Sequence, residues 1–151
     1  MRRTGTTARD IQEVWFALAR RPWRSLVLVP ADEGGSAAAI AASLADVGRR
    51  LRETPVTFLI MADPLDFASA AKIVAAFDLT KQGGSPLAVA PTGKVIVAVQ
   101  PVIVEPLGLA VTEAADAVVL CIEVGRTRFA AARRTMDLVG RERIAGALLV
   151  H

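Results

Sequence analysis

At 151 residues and 15.9 kDa the chain has the size of one domain with a core of its own. Its hydrophobic fraction is 53%, but the apolar residues come in short runs broken by Pro, Gly or charge, well below the roughly 20 residues that a membrane span needs. The net charge of +3 hides two arginine-rich ends, with six Arg against two acids in residues 1–24 and again in 126–143. Few aromatics are interleaved with them, so they read as solvated helix faces and not as a nucleic-acid groove.

Residues 1–24 read as an N-terminal amphipathic helix and 25–151 as a single α/β domain. The helix is expected to start after Asp10 and to end at Pro22, with Ile11, Val14, Trp15 and Leu18 on one face. Two readings stand side by side. The helix packs on the edge of a sheet, or it is exposed for self-association or membrane contact, with Trp15, Leu18, Arg20, Arg21 and Trp23 as interaction residues, since aromatic and Arg anchors are enriched at interfaces. The opening MRRTGTTARD has arginines but no apolar stretch behind them, so a signal peptide is not expected and a cytoplasmic setting is.

Residues 25–53 have the shape of a strand, a glycine loop and a long helix. The apolar run 26–29 ends at Pro30 and suits a parallel strand covered on both faces. The helix is expected to start near Ser36, a good N-cap, with Ile40, Leu44, Val47 and Leu51 on one stripe. In nucleotide-binding loops of this shape, backbone N–H groups wrap phosphates, a Lys reaches the outer phosphates and the next Ser or Thr holds magnesium. Here the run is Glu33-Gly34-Gly35-Ser36, with a glycine in the place of the Lys.

A second strand is expected over 56–61, ending in Ala62-Asp63-Pro64, after which Asp66 caps a helix through Phe77 with Ala70, Ile73, Val74 and Phe77 inward. Residues 78–94 are mostly loop, with a short strand over 87–90. A third strand over 95–99 leads into Gln100-Pro101, and a short helix follows Pro106 through Glu113. Then come a strand over 117–124, a helix over 127–139 closed by Gly140, and a last strand over 146–150. Strands alternating with helices predict an open, mostly parallel twisted sheet with helices on both faces, in which 26–29, 56–61, 95–99 and 117–122 are central. Ligands in such sheets bind at the carboxyl ends of the strands, which are 30–35, 62–66, 100–104 and 125–126 here.

Most catalytic schemes are excluded by composition. The only His is His151 at the end of the sequence, so a His-based triad or His metal cluster inside the fold is ruled out, and the single Cys121 sits mid-strand as a buried inert thiol. Asp63 and Asp66 flank a strand end as an acid/base pair or, as Asp commonly does there, Asp66 is a helix cap. Gln100 either hydrogen-bonds a ligand or satisfies backbone at a Pro turn.

The run EPLGLAVTEAADAVVLCIEVGRTR over 105–128, followed by ARRTMDLVGRERIAGALLV, resembles the cytoplasmic module of bacterial tyrosine kinases, within the deviant P-loop ATPases. That family has an acidic-proline turn, a short helix, an A-D-x-V-V-L-V-V strand and a G-x-T helix opening in this order. Residues 89–93, VAPTG, resemble its V-L-P-x-G segment, and Glu13 stands where it has the acid of an assembly motif, with Phe16 and Ala19 in place of the arginines. The departures fall on the chemistry. Family loops are about three residues longer and end in G-K-S or G-K-T, against Gly35-Ser36 here; the metal-site D-x-D is matched by Met61, Ala62 and Asp63, and D-x-P-P by Ala98, Val99, Gln100 and Pro101. There is no Tyr in the chain.

The resemblance therefore implies a P-loop NTPase-like fold carrying a degenerate site at Glu33, Gly34, Gly35, Ser36, Asp63 and Gln100, with no catalytic residues, no metal ligands and no binding of ATP with magnesium. It implies a catalytically inactive kinase-like module, structural or regulatory in exopolysaccharide or capsule biosynthesis and export. The implied partner is a membrane polysaccharide co-polymerase or a related assembly component, with self-association also open, in the cytoplasm or held at the membrane through that partner. The rivals are an ATPase or small-molecule enzyme whose active site is completed by a partner subunit, and a basic amphipathic membrane-surface module.

Overall fold

A strand whose side chains are apolar from its second residue onward is stable only where both faces are covered. The first strand, β1 (Ser25–Pro30), is buried along its whole length at the centre of a five-stranded sheet. The computed structural model describes residues 8–51, 56–60, 67–77 and 93–150. Around β1 stand α1 (Ala8–Leu18), α2 (Ala38–Leu51), β2 (Val56–Ile60), α3 (Phe67–Ala76), β3 (Lys94–Ala98), α4 (Gly108–Ala114), β4 (Ala117–Glu123), α5 (Phe129–Val139) and β5 (Ile144–Val150), with a 3-10 turn at Arg141–Arg143 before β5. All pairings are parallel, in the order β2-β3-β1-β4-β5. This is the expected open α/β sheet, consistent with a P-loop NTPase-like arrangement. One expectation is corrected: β2 is an edge strand, because the chain crosses β3 to reach it and nothing described pairs with its far side.

Handedness decides where the helices lie. The step from β1 to β2 runs across the sheet one way, and those from β2 to β3, β3 to β4 and β4 to β5 run the other way, so right-handed crossovers put α2 on one face and α3, α4 and α5 on the other. The core divides accordingly. Leu26, Leu28, Ile96, Ala98, Val119 and Cys121 meet Ile40, Ala41, Leu44 and Ala45 of α2 on the first face. Val27, Val29, Val95, Val97 and Val118 meet Phe67, Ala70 and Val74 of α3, Val111 of α4 and Val139 of α5 on the second. Because β1 sends its chain to the first face while both its neighbours send theirs to the second, β1 is flanked by switch points at its carboxyl end.

The foot of the sheet is closed by a reciprocal polar contact. Asp116 Oδ2 accepts the N–H groups of Arg24 (2.7 Å) and Ser25 (3.2 Å), while Ser25 Oγ accepts the N–H of Asp116 (2.8 Å). This fixes the register of β1 against β4 before the first ladder pair, Leu26 with Ala117.

Helix α1 carries the expected apolar stripe, but its aromatic member is core. It begins at Ala8, earlier than expected, and Ile11 and Trp15 are buried against α2. The approach is close because position 48 of α2 is glycine: a Cβ there would lie 2.6 Å from Trp15 Cη2. Trp15 meets Trp23 edge to face at 5.7 Å, and the Lys94 ammonium sits 4.1 Å from the centre of the Trp23 ring. Trp15 and Trp23 are thus interior side chains and not exposed anchors, with Leu18 half-buried beside them; Arg20 and Arg21 are exposed in the turn that follows. The helix belongs to the same core as β1 and α2, because its apolar stripe has nowhere better to go than the α2 surface beside Gly48. Met61, Asp63, the Asp66 cap and the strand over 87–90 lie outside the described residues.

Candidate functional site

The site forms where β1 and β4 end. Ala31 extends the pairing by one residue, donating its N–H to Cys121 O at 2.9 Å, and its own carbonyl oxygen lies 3.1 Å from the hydroxyl of the buried Thr135 on α5. The chain then leaves the sheet at Asp32, which brings its carboxylate to the start of α5.

That carboxylate is the centre of the arrangement. Asp32 Oδ1 accepts the N–H of Glu33 (2.7 Å) and Arg128 Nη2 (2.9 Å), while Oδ2 accepts the N–H of Arg128 (2.8 Å) and its Nε (3.1 Å). The guanidinium grips both oxygens, the strongest form of carboxylate pairing. Arg128 is also the N-cap residue of α5 and its own side chain makes no cap, so Asp32 caps that helix from 96 positions away in the chain. The Arg128 side chain, acting first, and its backbone N–H together hold the Asp32 carboxyl far below the usual carboxylate range, and Asp32 in turn raises Arg128.

Two tight turns frame the pair. After β4, Arg126 and Thr127 donate their N–H groups to Glu123 O (3.1 and 2.9 Å), Thr127 Oγ1 accepts the Glu123 N–H (2.8 Å), and Gly125 takes φ +83°. A side chain at 125 would find open space but a strained backbone, so glycine is there for its φ. After β1, Gly35 donates its N–H to Asp32 O (3.0 Å), and a Cβ at 35 would lie 3.0 Å from Pro30 Cβ and 3.2 Å from Asp32 O. Gly34 has open space around it. Thus a side chain at 35 would be tight against a loop folded back on Pro30.

Between the turns is a cleft of about 300 Å³ lined by Asp32, Glu33, Gly34, Gly35, Glu123, Arg126, Thr127 and Arg128. Three carboxylates face two guanidiniums. Arg128 is held by Asp32 and lies 3.5 Å from Glu33, and the exposed Arg126 lies 3.9 Å from Glu123. The cleft thus lies at the carboxyl ends of β1 and β4, where ligands bind in open α/β sheets, and its lining has one more carboxylate than guanidinium.

Of the residues expected at a site, Glu33, Gly34 and Gly35 line this cleft. Ser36 does not; it acts as a cap, its Oγ accepting the N–H of Ala38 at 3.4 Å where α2 begins. Gln100 is exposed beyond β3, on the other side of β1, and is not part of the lining. Asp63 lies outside the described residues. Trp15, Leu18, Arg20, Arg21 and Trp23 are likewise not part of the cleft lining. Asp32 and Arg128, the two residues that organise the cleft, were not singled out from the sequence. Their signal was present in outline: an Asp two residues past a buried strand and an Arg at a helix start, on strands whose adjacency only the topology reveals. Among the described residues no group of three or more His, Cys, Asp and Glu is placed to hold a metal, and no helix is long and apolar enough to cross a membrane. Neither a family model nor a curated protein matches this chain.

Proposed function

We propose that this chain is a P-loop NTPase-like module, of the bacterial tyrosine-kinase kind, that no longer transfers phosphoryl groups and works by protein contact. Phosphoryl transfer rests on positioning and on neutralising charge around the phosphates. The observation that carries the reading is the Asp32–Arg128 clamp: the loop after β1 presents carboxylates where phosphates would lie, and the nearest guanidinium is already engaged. The role in exopolysaccharide or capsule assembly, beside a membrane polysaccharide co-polymerase, rests on the sequence resemblance alone.

Calorimetry with ATP and magnesium tests the first half. Each missing charge-assisted contact is worth roughly 1.5–3 kcal/mol, so the loss of two weakens binding by about 100-fold to 10,000-fold, to roughly millimolar or weaker. Gly35→Lys does not repair it, because a side chain at 35 meets Pro30 and the Asp32 carbonyl and leaves the carboxylates in place. Low-micromolar binding by either protein refutes the proposal. Recovery of a polysaccharide co-polymerase on the tagged chain from its native host tests the second half; recovery of a neighbouring protein with an intact G-K-[ST] loop, together with nucleotide-dependent binding, favours a partner-completed ATPase instead.

A further inference from the structure

We infer that the carboxyl end of the sheet is a docking face for a second protein, and that what it takes is a segment carrying a lysine or arginine between apolar side chains. The inference rests on the reading of this chain as a module that works by protein contact, and it adds the surface and the chemistry of the partner. All the strand pairings are parallel, so the carboxyl ends lie together at one end of the sheet. Exposed large apolar side chains gather there. Val104 and Leu107 follow β3, Val124 follows β4, and Phe129, 79% exposed, opens α5; none of the four packs into the core. Because β3 and β4 are the two neighbours of β1, these pairs stand on either side of the loop after β1 and of the cleft beside it, on strands about 10 Å apart. A standard interface covers about 800 Å² of each partner, a disc roughly 30 Å across, which takes in both sides.

Charge selects the occupant. The segments that follow β1, β3 and β4, at 31–37, 99–107 and 123–129, hold the carboxylates of Asp32, Glu33, Glu105 and Glu123 against the guanidiniums of Arg126 and Arg128, so this end is acidic in a chain of net charge +3. Asp32 is taken up by Arg128. Glu33, however, is 64% exposed and 3.5 Å from Arg128 Nη2, and Glu123 lies 3.9 Å from Arg126, long contacts that leave both carboxylates with capacity for an incoming cation. Partners that present phosphates, a nucleic acid or an anionic membrane, are repelled by such a face. So is a second copy, because a two-fold pair uses the same patch on both chains and would set carboxylates against carboxylates. A cationic side chain between apolar neighbours meets both features at once. Its charge lies between Glu33 and Glu123, and its neighbours cover Val124 and Phe129 on one side and Val104 and Leu107 on the other. Aromatic side chains such as Phe129 are enriched at the cores of protein contacts.

Photocrosslinking of the whole chain in its native host is the test. Benzoylphenylalanine replaces Leu107 or Phe129 and, as exposed apolar positions elsewhere, Phe16 on α1 or Ile73 on α3. Positions 107 and 129 are expected to capture one and the same protein, within a segment that holds a lysine or arginine between apolar residues, and positions 16 and 73 are expected not to capture it. That segment, made as a labelled peptide, is expected to bind the purified chain, and Glu33→Arg is expected to weaken the binding at least about tenfold. Changing the peptide's cation to glutamate is expected to restore binding to Glu33→Arg. The Glu33 side chain is exposed, and its N–H, not its carboxylate, serves the Asp32 turn, so circular dichroism of Glu33→Arg is expected to match the native chain. The inference is overturned if positions 107 and 129 capture nothing, capture this chain itself or capture a segment without a cation, and equally if charge reversal leaves binding unaltered. Capture of a partner at 16 or 73 alone leaves the protein-contact reading standing and sinks only this face, whereas capture at none of the four positions tells against both.

Discussion

Replacing Trp15 with Ala separates a core role for α1 from a docking role more sharply than any other change. Trp15 is 6% exposed, sits over Gly48 and meets Trp23 edge to face. Removing a Trp from such a place costs about 3–5 kcal/mol, against a total stability of roughly 5–15 kcal/mol for a domain. With a urea slope of about 2 kcal/mol per molar, the midpoint is expected to fall by about 1.5–2.5 M. Gly48→Ala supplies the counterpart. Alanine favours the helix by about 1 kcal/mol, but its Cβ would lie 2.6 Å from Trp15 and 2.7 Å from Val56, and over-packing costs about 1–3 kcal/mol, so the single change is expected to destabilise slightly. In the Trp15→Ala background the main clash is gone, and the same change is expected to cost at least about 1 kcal/mol less. Equilibrium urea unfolding of the four proteins measures all of this. A Trp15→Ala midpoint within error of the native one, together with a loss of oligomer mass, would refute the core assignment and restore the tryptophan to a surface.

Two further outcomes follow from titrating groups. Because Asp32 has its carboxyl depressed in the folded state, the stability it contributes is fully present above its unfolded value of 3.8 and is lost as pH falls toward the folded value; the melting-temperature gap between the native chain and Asp32→Asn is therefore expected to narrow between about pH 5 and pH 2, and a gap constant over that range contradicts the clamp. Burial pushes the Cys121 thiol up to about 12, so at pH 8 only about one molecule in 10,000 carries the thiolate, and a disulfide-exchange reagent is expected to label the chain only after denaturation; rapid labelling of the native protein contradicts the burial.

The fold was legible because its signals are local. The apolar runs at β1, β3 and β4 and the stripes on α1 and α2 follow from spacing alone, as does Gly140, whose φ of +95° ends α5. What spacing does not carry is lateral order. The sequence places 56–61 among the central strands because most of its residues are apolar, but whether a strand is central depends on the crossovers, and those put β2 at the edge of the described sheet. The stripe on α1 likewise predicts an apolar face without saying what covers it; the answer lies at Gly48, a glycine inside a helix whose reason is the ring above it. The site was legible in half. Glu33, Gly34 and Gly35 are contiguous and recognisable as a loop, whereas Asp32 and Arg128 acquire meaning only when β1 and β4 are known to be neighbours.

On the proposed reading, the clamp also accounts for the expected failure of a single substitution to restore phosphate binding at the loop after β1. Asp32 is tied at once to its own turn, through the Glu33 N–H, and to the start of α5, through the Arg128 N–H and guanidinium. Neutralising it removes a carboxylate from the cleft but takes the cap from α5 and frees Arg128 from its partner. Leaving it keeps negative charge where, on the proposed reading, a phosphate would have to sit. A lysine at 35 meets a second obstacle, since the loop folds back to within 3.0 Å of any Cβ there. A cationic loop would need a longer turn after Pro30, a different cap for α5 and a lysine, and none of these helps without the others. Charge and geometry are coupled through one carboxylate, so the acidic lining is part of how β1, β4 and α5 are held together, and a partner that uses this cleft must meet its carboxylates with positive charge.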